Sequence, residues 1–135
     1  MKYLADTHIL IRAIKDDPKL SEKAREILLN PDSLIFYSFA NIWEIAIKHM
    51  LHKPDMNFSA QQFEGMCRLA GYLPLETSFR HAYSVETLKY ADNAPREHRD
   101  PFDRLLLTQA KQENMLFLTH DELIPYYNEP CTVSV

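Results

Sequence analysis

Short apolar runs alternate with longer stretches of helical periodicity along this chain. KYLA (2–5), LIFYS (34–38), MLFLT (115–119) and CTVSV (131–135) are short and β-rich, and each predicts a strand. YLPLE (72–76) predicts another, confined by Pro74 to an edge or a bend. Between them the apolar spacing changes. ILIRAIK (9–15) reads as a helix broken at Asp17-Pro18, and Ser21 caps a second whose stripe is Leu20, Ala24, Ile27 and Leu28. IWEIAIKHML (42–51) places Ile42, Ile45 and Ala46 on one face, with Glu44 and Lys48 on another, and Trp43 is expected in the core. Ser59 opens a helix that runs to about Ala70, where Gly71 stops it. Residues 77–90 and 101–114 predict two more helices, 91–100 a polar loop, and 121–127 a short helix or turn.

Strands alternating with helices argue for an α/β fold, with a mostly parallel sheet covered by helices on both faces. No linker-like stretch interrupts the pattern, so residues 1–135 are expected to form one domain. Only two glycines are present, Gly65 and Gly71, which excludes a Gly-rich phosphate loop. A net charge of −4 excludes a surface that is basic throughout, but not a local basic rim around a cluster of acids. Cys67 and Cys131 form no CxxC pair and are expected as reduced thiols. No apolar run approaches the ~20 residues of a membrane span, and MKYLAD lacks the apolar core of a signal peptide. A cytoplasmic location without membrane association is the expectation.

The acids carry the chemistry. In open α/β sheets ligands bind beyond the carboxyl ends of the strands. Asp6 ends the first predicted strand, and Asp121 follows the strand that ends at Thr119. Asp103 lies in the first turn of a helix that starts from the same edge, and Glu44 lies in the helix after LIFYS. Four carboxylates brought together need a cation, and hard divalent ions such as Mg²⁺ or Mn²⁺ take oxygen ligands. The chemistry implied is metal-assisted hydrolysis of a phosphodiester. Each acid also has a purely structural reading. Asp6 and Asp121 can cap helices, Glu44 and Lys48 are an i,i+4 ion pair, and Asp100 followed by Pro101 is a helix start. His8, His98 and His120 each neighbour one of these acids. His49 and His52 are i,i+3 but lack a third soft ligand, so a solvated helix end is expected rather than zinc. Arg12, Lys15, Lys48, Arg99 and Arg104 are candidates for a phosphate-contacting rim.

Four stretches taken together resemble a PIN domain of the VapC-type toxin group: LADTHILI (4–11), YSFANIWEIAIK (37–48), HRDPFDRLLLTQA (98–110) and FLTHD (117–121). The resemblance spans nearly the whole chain. It implies a three-layer α/β/α fold around a mostly parallel sheet of about five strands. It also implies an Mg²⁺- or Mn²⁺-dependent endoribonuclease that leaves a 3′-hydroxyl and a 5′-phosphate, is inhibited by a cognate antitoxin and is often a homodimer. Carried over position by position, it implies Asp6, Glu44, Asp103 and Asp121 as catalytic and metal-binding acids. Asp100 is an extra acid of one branch that can share the metal. Thr7, Ser38 and Thr119 are auxiliary hydroxyls, and Arg99 and Arg104 are implied as RNA contacts. Asn41 replaces the usual second serine of the SxxSxWE pattern.

Two rival α/β readings lack their marks. A receiver-like domain needs paired acids after the first strand and a late lysine. A dehalogenase-like phosphatase needs an acid at position 8, where this chain has His8. An RNA-processing nuclease without an antitoxin and a catalytically inactive PIN-like module remain as alternatives. The four filled acid positions weigh against the latter.

Overall fold

The computed structural model describes residues 1–135. Five strands form one sheet: β1 (Lys2–Ala5), β2 (Leu34–Ser38), β3 (Leu73–Leu75), β4 (Leu116–Thr119) and β5 (Thr132–Ser134). Their order is β3-β2-β1-β4-β5, and every pairing is parallel. Pro74 falls on edge strand β3, where a missing N–H is tolerated. Six α-helices connect the strands: α1 (Thr7–Ile14), α2 (Glu22–Leu29), α3 (Phe39–Met50), α4 (Ala60–Leu69), α5 (Phe79–Ser84) and α6 (Pro101–Gln112). Single 3₁₀ turns follow at Val85–Thr87 and Ile124–Tyr127.

Alternation along the strands divides the core in two. Ala5, Tyr37 and Leu118 face a cluster with Ile9, Leu10, Ala24, Ile45, Phe63 and Cys67. Leu4 and Phe117 face the other side, with Leu106, Leu107, Ala110, Ile124 and Tyr127. The sheet is thus sandwiched by α1, α2 and α4 on one face and by α6 on the other. Fully buried side chains such as Phe63, Phe117 and Leu106 stabilise this arrangement by roughly 1.5–3 kcal/mol each. Gly71 ends α4 at φ 84°, the left-handed conformation that glycine adopts at no steric cost.

Three local expectations change. The helix expected over 42–51 starts earlier, because Ser38 caps it: Ser38 Oγ accepts from Ala40 N, and Asn41 Oδ1 accepts from Ser38 N. That register turns Ala40, Asn41, Glu44 and Ile45 inward. Trp43 is rotated out of the core, half exposed, and meets the Phe102 ring edge-on at 5.1 Å. The helix expected over 77–90 stops at Ser84 and tightens into a 3₁₀ turn. His49 and His52 are exposed at a helix end, and both cysteines are free thiols. No helix is long and apolar enough to cross a membrane.

Candidate active site

The sheet order reverses between β1 and β4, which places a crevice beyond the carboxyl ends of those two strands. Ala5 pairs with Leu118, and Asp6 N donates to Leu118 O at 2.9 Å, so Asp6 and Thr119 leave the sheet side by side. Asp6, His8, Arg96, Asp103, His120, Asp121 and Glu122 line a cleft of about 290 Å³ there, without one apolar side chain.

The acids divide their oxygens between two tasks. Asp6 Oδ1 accepts from Ile9 N and caps α1, while its Oδ2 lies 4.0 Å from His120 Nδ1. Asp121 Oδ1 accepts from Leu123 N, and its Oδ2 lies 3.8 Å from His98 Nε2. Asp100 Oδ1 accepts from Phe102 N and Asp103 N at the start of α6. Asp6 and Asp121 therefore both cap a local turn and line the cleft, whereas Asp100 caps α6 without lining it. Asp103 sits one turn into α6, with Oδ2 3.6 Å from His98 Nε2.

Burial dominates the electrostatics. Asp6 is 3% exposed, and desolvation pushes its carboxyl up, against the Thr119 hydroxyl and the Ile9 N–H. Asp103 is pushed up to about 7, first by burial and then by the charges of Asp100, Asp6 and Glu44, with His98 opposing. Burial also holds His120 below its ordinary value, although Asp6 acts the other way. A cleft that gathers carboxylates against their electrostatic preference fits a divalent cation held through oxygen.

Glu44 is buried to 2% exposure, not on a solvated face. Its two oxygens are occupied: Oε1 accepts from Thr7 Oγ1 at 2.5 Å and Oε2 from Lys48 Nζ at 2.5 Å. Thr7 Oγ1 accepts in turn from Asn41 Nδ2 at 3.0 Å, so Asn41 joins this buried network. Glu44 raises Asp103 by its charge but does not line the cleft.

The hydroxyls are internal. Thr7 is spent on Glu44, and Ser38 Oγ donates to Gln109 Oε1 at 2.5 Å from a fully buried position. Thr119 Oγ1 accepts from Asp121 N at 3.0 Å. Neither arginine of HRDPFDR reaches the cleft. Arg99 folds over Glu97 at 2.7 Å, and Arg104 Nη2 donates to the His98 carbonyl at 2.7 Å. Arg96 lines the cleft instead. Its place in a polar loop gave no periodic signal from which to find it. Arg12, Lys15 and Lys19 line an adjoining groove that shares His8 and His120 with the cleft.

A three-layer α/β/α domain with carboxylates gathered at the switch point of an all-parallel sheet is the class defined by this fold and site. The chain belongs to the PIN domain family, whose profile matches residues 3–129. Among solved structures it is similar to VapBC2 from Rickettsia felis bound to a DNA fragment from its promoter. There the TM-score is 0.65 at 17% identity, covering 100% of this chain and 98% of that one. It is also similar to a toxin–antitoxin complex from Klebsiella pneumoniae, with TM-score 0.62, 17% identity and coverage of 98% and 96%. VapBC-1 from nontypeable Haemophilus influenzae gives TM-score 0.54, 19% identity and coverage of 90% and 87%. No curated protein matches the chain.

Proposed function

We propose that residues 1–135 form one PIN domain acting as a metal-dependent endoribonuclease, the toxin of a type II toxin–antitoxin pair. The observation that carries the enzymatic reading is the convergence of Asp6, Asp103 and Asp121 on one polar cleft, with Asp103 pushed up to about 7. Asp6, Asp103 and Asp121 would hold Mg²⁺ or Mn²⁺. When bound, the ion supplies Lewis acidity to the phosphoryl group and lowers the pKa of water. Glu44, tied down by Thr7 and Lys48, adds fixed negative charge behind Asp103 and holds the first turn of α1 against α3. Arg96 at the cleft, with Arg12, Lys15 and Lys19 in the adjoining groove, provides the cations that meet the RNA backbone. Arg99 and Arg104 are engaged elsewhere and are not proposed for that role.

The toxin role draws support from structural neighbours that are themselves VapBC or toxin–antitoxin complexes. A cognate antitoxin and a homodimeric toxin are proposed as partners on that basis. A cytoplasmic location follows from the proposed RNA substrate. The test is cleavage of a pool of structured RNAs with Mg²⁺, Mn²⁺ or chelator, beside Asp6→Asn. Cleavage that depends on metal and is lost in the variant supports the reading. Cleavage that survives both chelator and Asp6→Asn overturns it, as does no cleavage under any of these conditions.

A further inference from the structure

His98 lies two residues before Asp100, and its side chain is 2% exposed. Only one of its ring nitrogens is satisfied. Nδ1 lies 2.7 Å from Tyr127 Oη, whereas Nε2 is buried without a hydrogen-bond partner. Nε2 faces Asp103 Oδ2 at 3.6 Å and Asp121 Oδ2 at 3.8 Å, too far for a direct hydrogen bond to either. Buried polar nitrogens are rarely left in this state. The ring is also fixed: it packs edge-on against Tyr127 at 5.3 Å and beside Tyr90 at 6.3 Å, and Arg104 holds its backbone carbonyl.

Ligand atoms of His98, Asp103 and Asp121 all lie within 4.8 Å of one another. An octahedral site with bonds of about 2.1 Å has edges of about 3.0 Å between neighbouring ligand atoms. The two His98 separations, 3.6 and 3.8 Å, exceed that edge by less than about 1 Å, a gap that rotation of the two carboxylates closes. His98 Nε2 is thus too far from either carboxylate to hydrogen-bond it, yet within reach of a cation that both carboxylates could hold. The Tyr127 contact allows the matching tautomer. With Nδ1–H donating to Tyr127 Oη, the Nε2 lone pair points at the acids, and metal-bound histidines are commonly oriented by such a donation from the other nitrogen.

We infer that His98 Nε2, with the carboxylates of Asp103 and Asp121, forms a mixed nitrogen–oxygen site for a first-row transition cation, selecting Mn²⁺ over Mg²⁺. The inference rests on the reading of the acidic cleft as a metal site and adds to it a nitrogen ligand. Mg²⁺ holds to oxygen donors, whereas imidazole is a ligand for transition metals.

The probe is Mn²⁺ alone, added to the full chain without RNA and read by pulsed electron paramagnetic resonance. The expected spectrum shows ¹⁴N modulation from a directly bonded imidazole, and labelling the histidines with ¹⁵N alters it. The modulation is lost in His98→Gln and kept in a His8→Gln, His120→Gln double variant, which decides the matter should His98→Gln fail to fold. By calorimetry Mn²⁺ binds at least ~10-fold more tightly than Mg²⁺ in the wild type, and within ~3-fold in His98→Gln. Tyr127→Phe keeps the modulation but weakens Mn²⁺ binding by about 10-fold or more. Bound Mn²⁺ without imidazole modulation, or modulation lost in the double variant, overturns this inference and leaves the metal reading standing. No Mn²⁺ binding in the wild type overturns both.

Discussion

Thr7 Oγ1 donates to Glu44 Oε1 at 2.5 Å, joining the first turn of α1 to the buried face of α3 across 37 residues of sequence. Thr7→Val keeps the shape of the side chain and removes the hydroxyl. It leaves Glu44 with Lys48 alone and deprives Asn41 Nδ2 of one acceptor. A loss of about 1–3 kcal/mol is expected in chemical denaturation, with Thr7→Ser retaining most of the wild-type stability. Equal stability of Thr7→Val and wild type counts against this pairing.

Asp103 gives a pH-dependent prediction. Its carboxyl is raised on folding from the ordinary carboxylate value of 3.8 to about 7. A carboxyl raised on folding binds its proton more tightly in the folded state. The cost of ionising it is absent below about pH 4 and grows as the pH rises towards 7. Without metal, Asp103→Asn is expected to melt above wild type at pH 8 and level with it near pH 4. Excess Mn²⁺ reverses the order at pH 8 by stabilising the wild type more than the variant, which has lost one ligand. Scanning calorimetry at both pH values, with and without the ion, checks the sign.

Asp100 is expected to act through its cap and its charge rather than as a principal ligand. Asp100→Ala removes both bonds to the α6 N-terminus and is expected to cost about 1 kcal/mol. Asp100→Asn keeps the cap and removes one of the charges that raise Asp103. It should fold with wild-type stability and bind Mn²⁺ within ~3-fold of wild type, since asparagine caps as well as aspartate. A tenfold or greater loss of Mn²⁺ affinity in Asp100→Asn would instead make Asp100 a ligand.

Away from the cleft, Tyr37 Oη donates to Glu64, which also pairs with Arg68 at 2.6 Å. The Tyr37 hydrogen bond is the main reason that Glu64 sits below its ordinary carboxylate value. A carboxyl depressed on folding contributes stability above its unfolded pKa, and that contribution is lost as the pH falls through the folded value. Glu64→Gln is therefore expected to unfold more easily than wild type at pH 7, with the gap closing as the pH falls below 4.5, the ordinary glutamate value. A gap that is unchanged in acid would refute this assignment. The same contact pushes the Tyr37 hydroxyl, already desolvated, up to about 12.

The strands and the edge at which the acids gather were legible because β1 and β4 are short apolar runs that end abruptly at Asp6 and Thr119. Asp100-Pro101 likewise announces α6. Helix register was less legible. Apolar spacing alone starts α3 at Ile42 and places Trp43 inside. The reciprocal cap between Ser38 and Asn41 starts the helix at Phe39 and turns Trp43 outward. Glu44 and Lys48 have the spacing of a surface pair, and only the tertiary fold puts the glutamate in the interior. Arg99 and Arg104 had the right charge beside the right acid, but their partners are Glu97 and the His98 carbonyl. Such competition between nearby groups is decided by loop geometry, which periodicity does not encode. His98 was visible as a neighbour of acids. Its unpaired Nε2 is a property of packing against Tyr127 and needed three dimensions to emerge.

The division of Asp6 and of Asp121 into one capping oxygen and one free oxygen separates charge from architecture. Asparagine at Asp6, Asp100 or Asp121 can still accept the backbone N–H that starts each local turn, while the negative charge is gone. A chain silenced in this way stays folded and keeps its outer surfaces. If the proposed antitoxin covers the cleft, it is expected to go on binding such a chain.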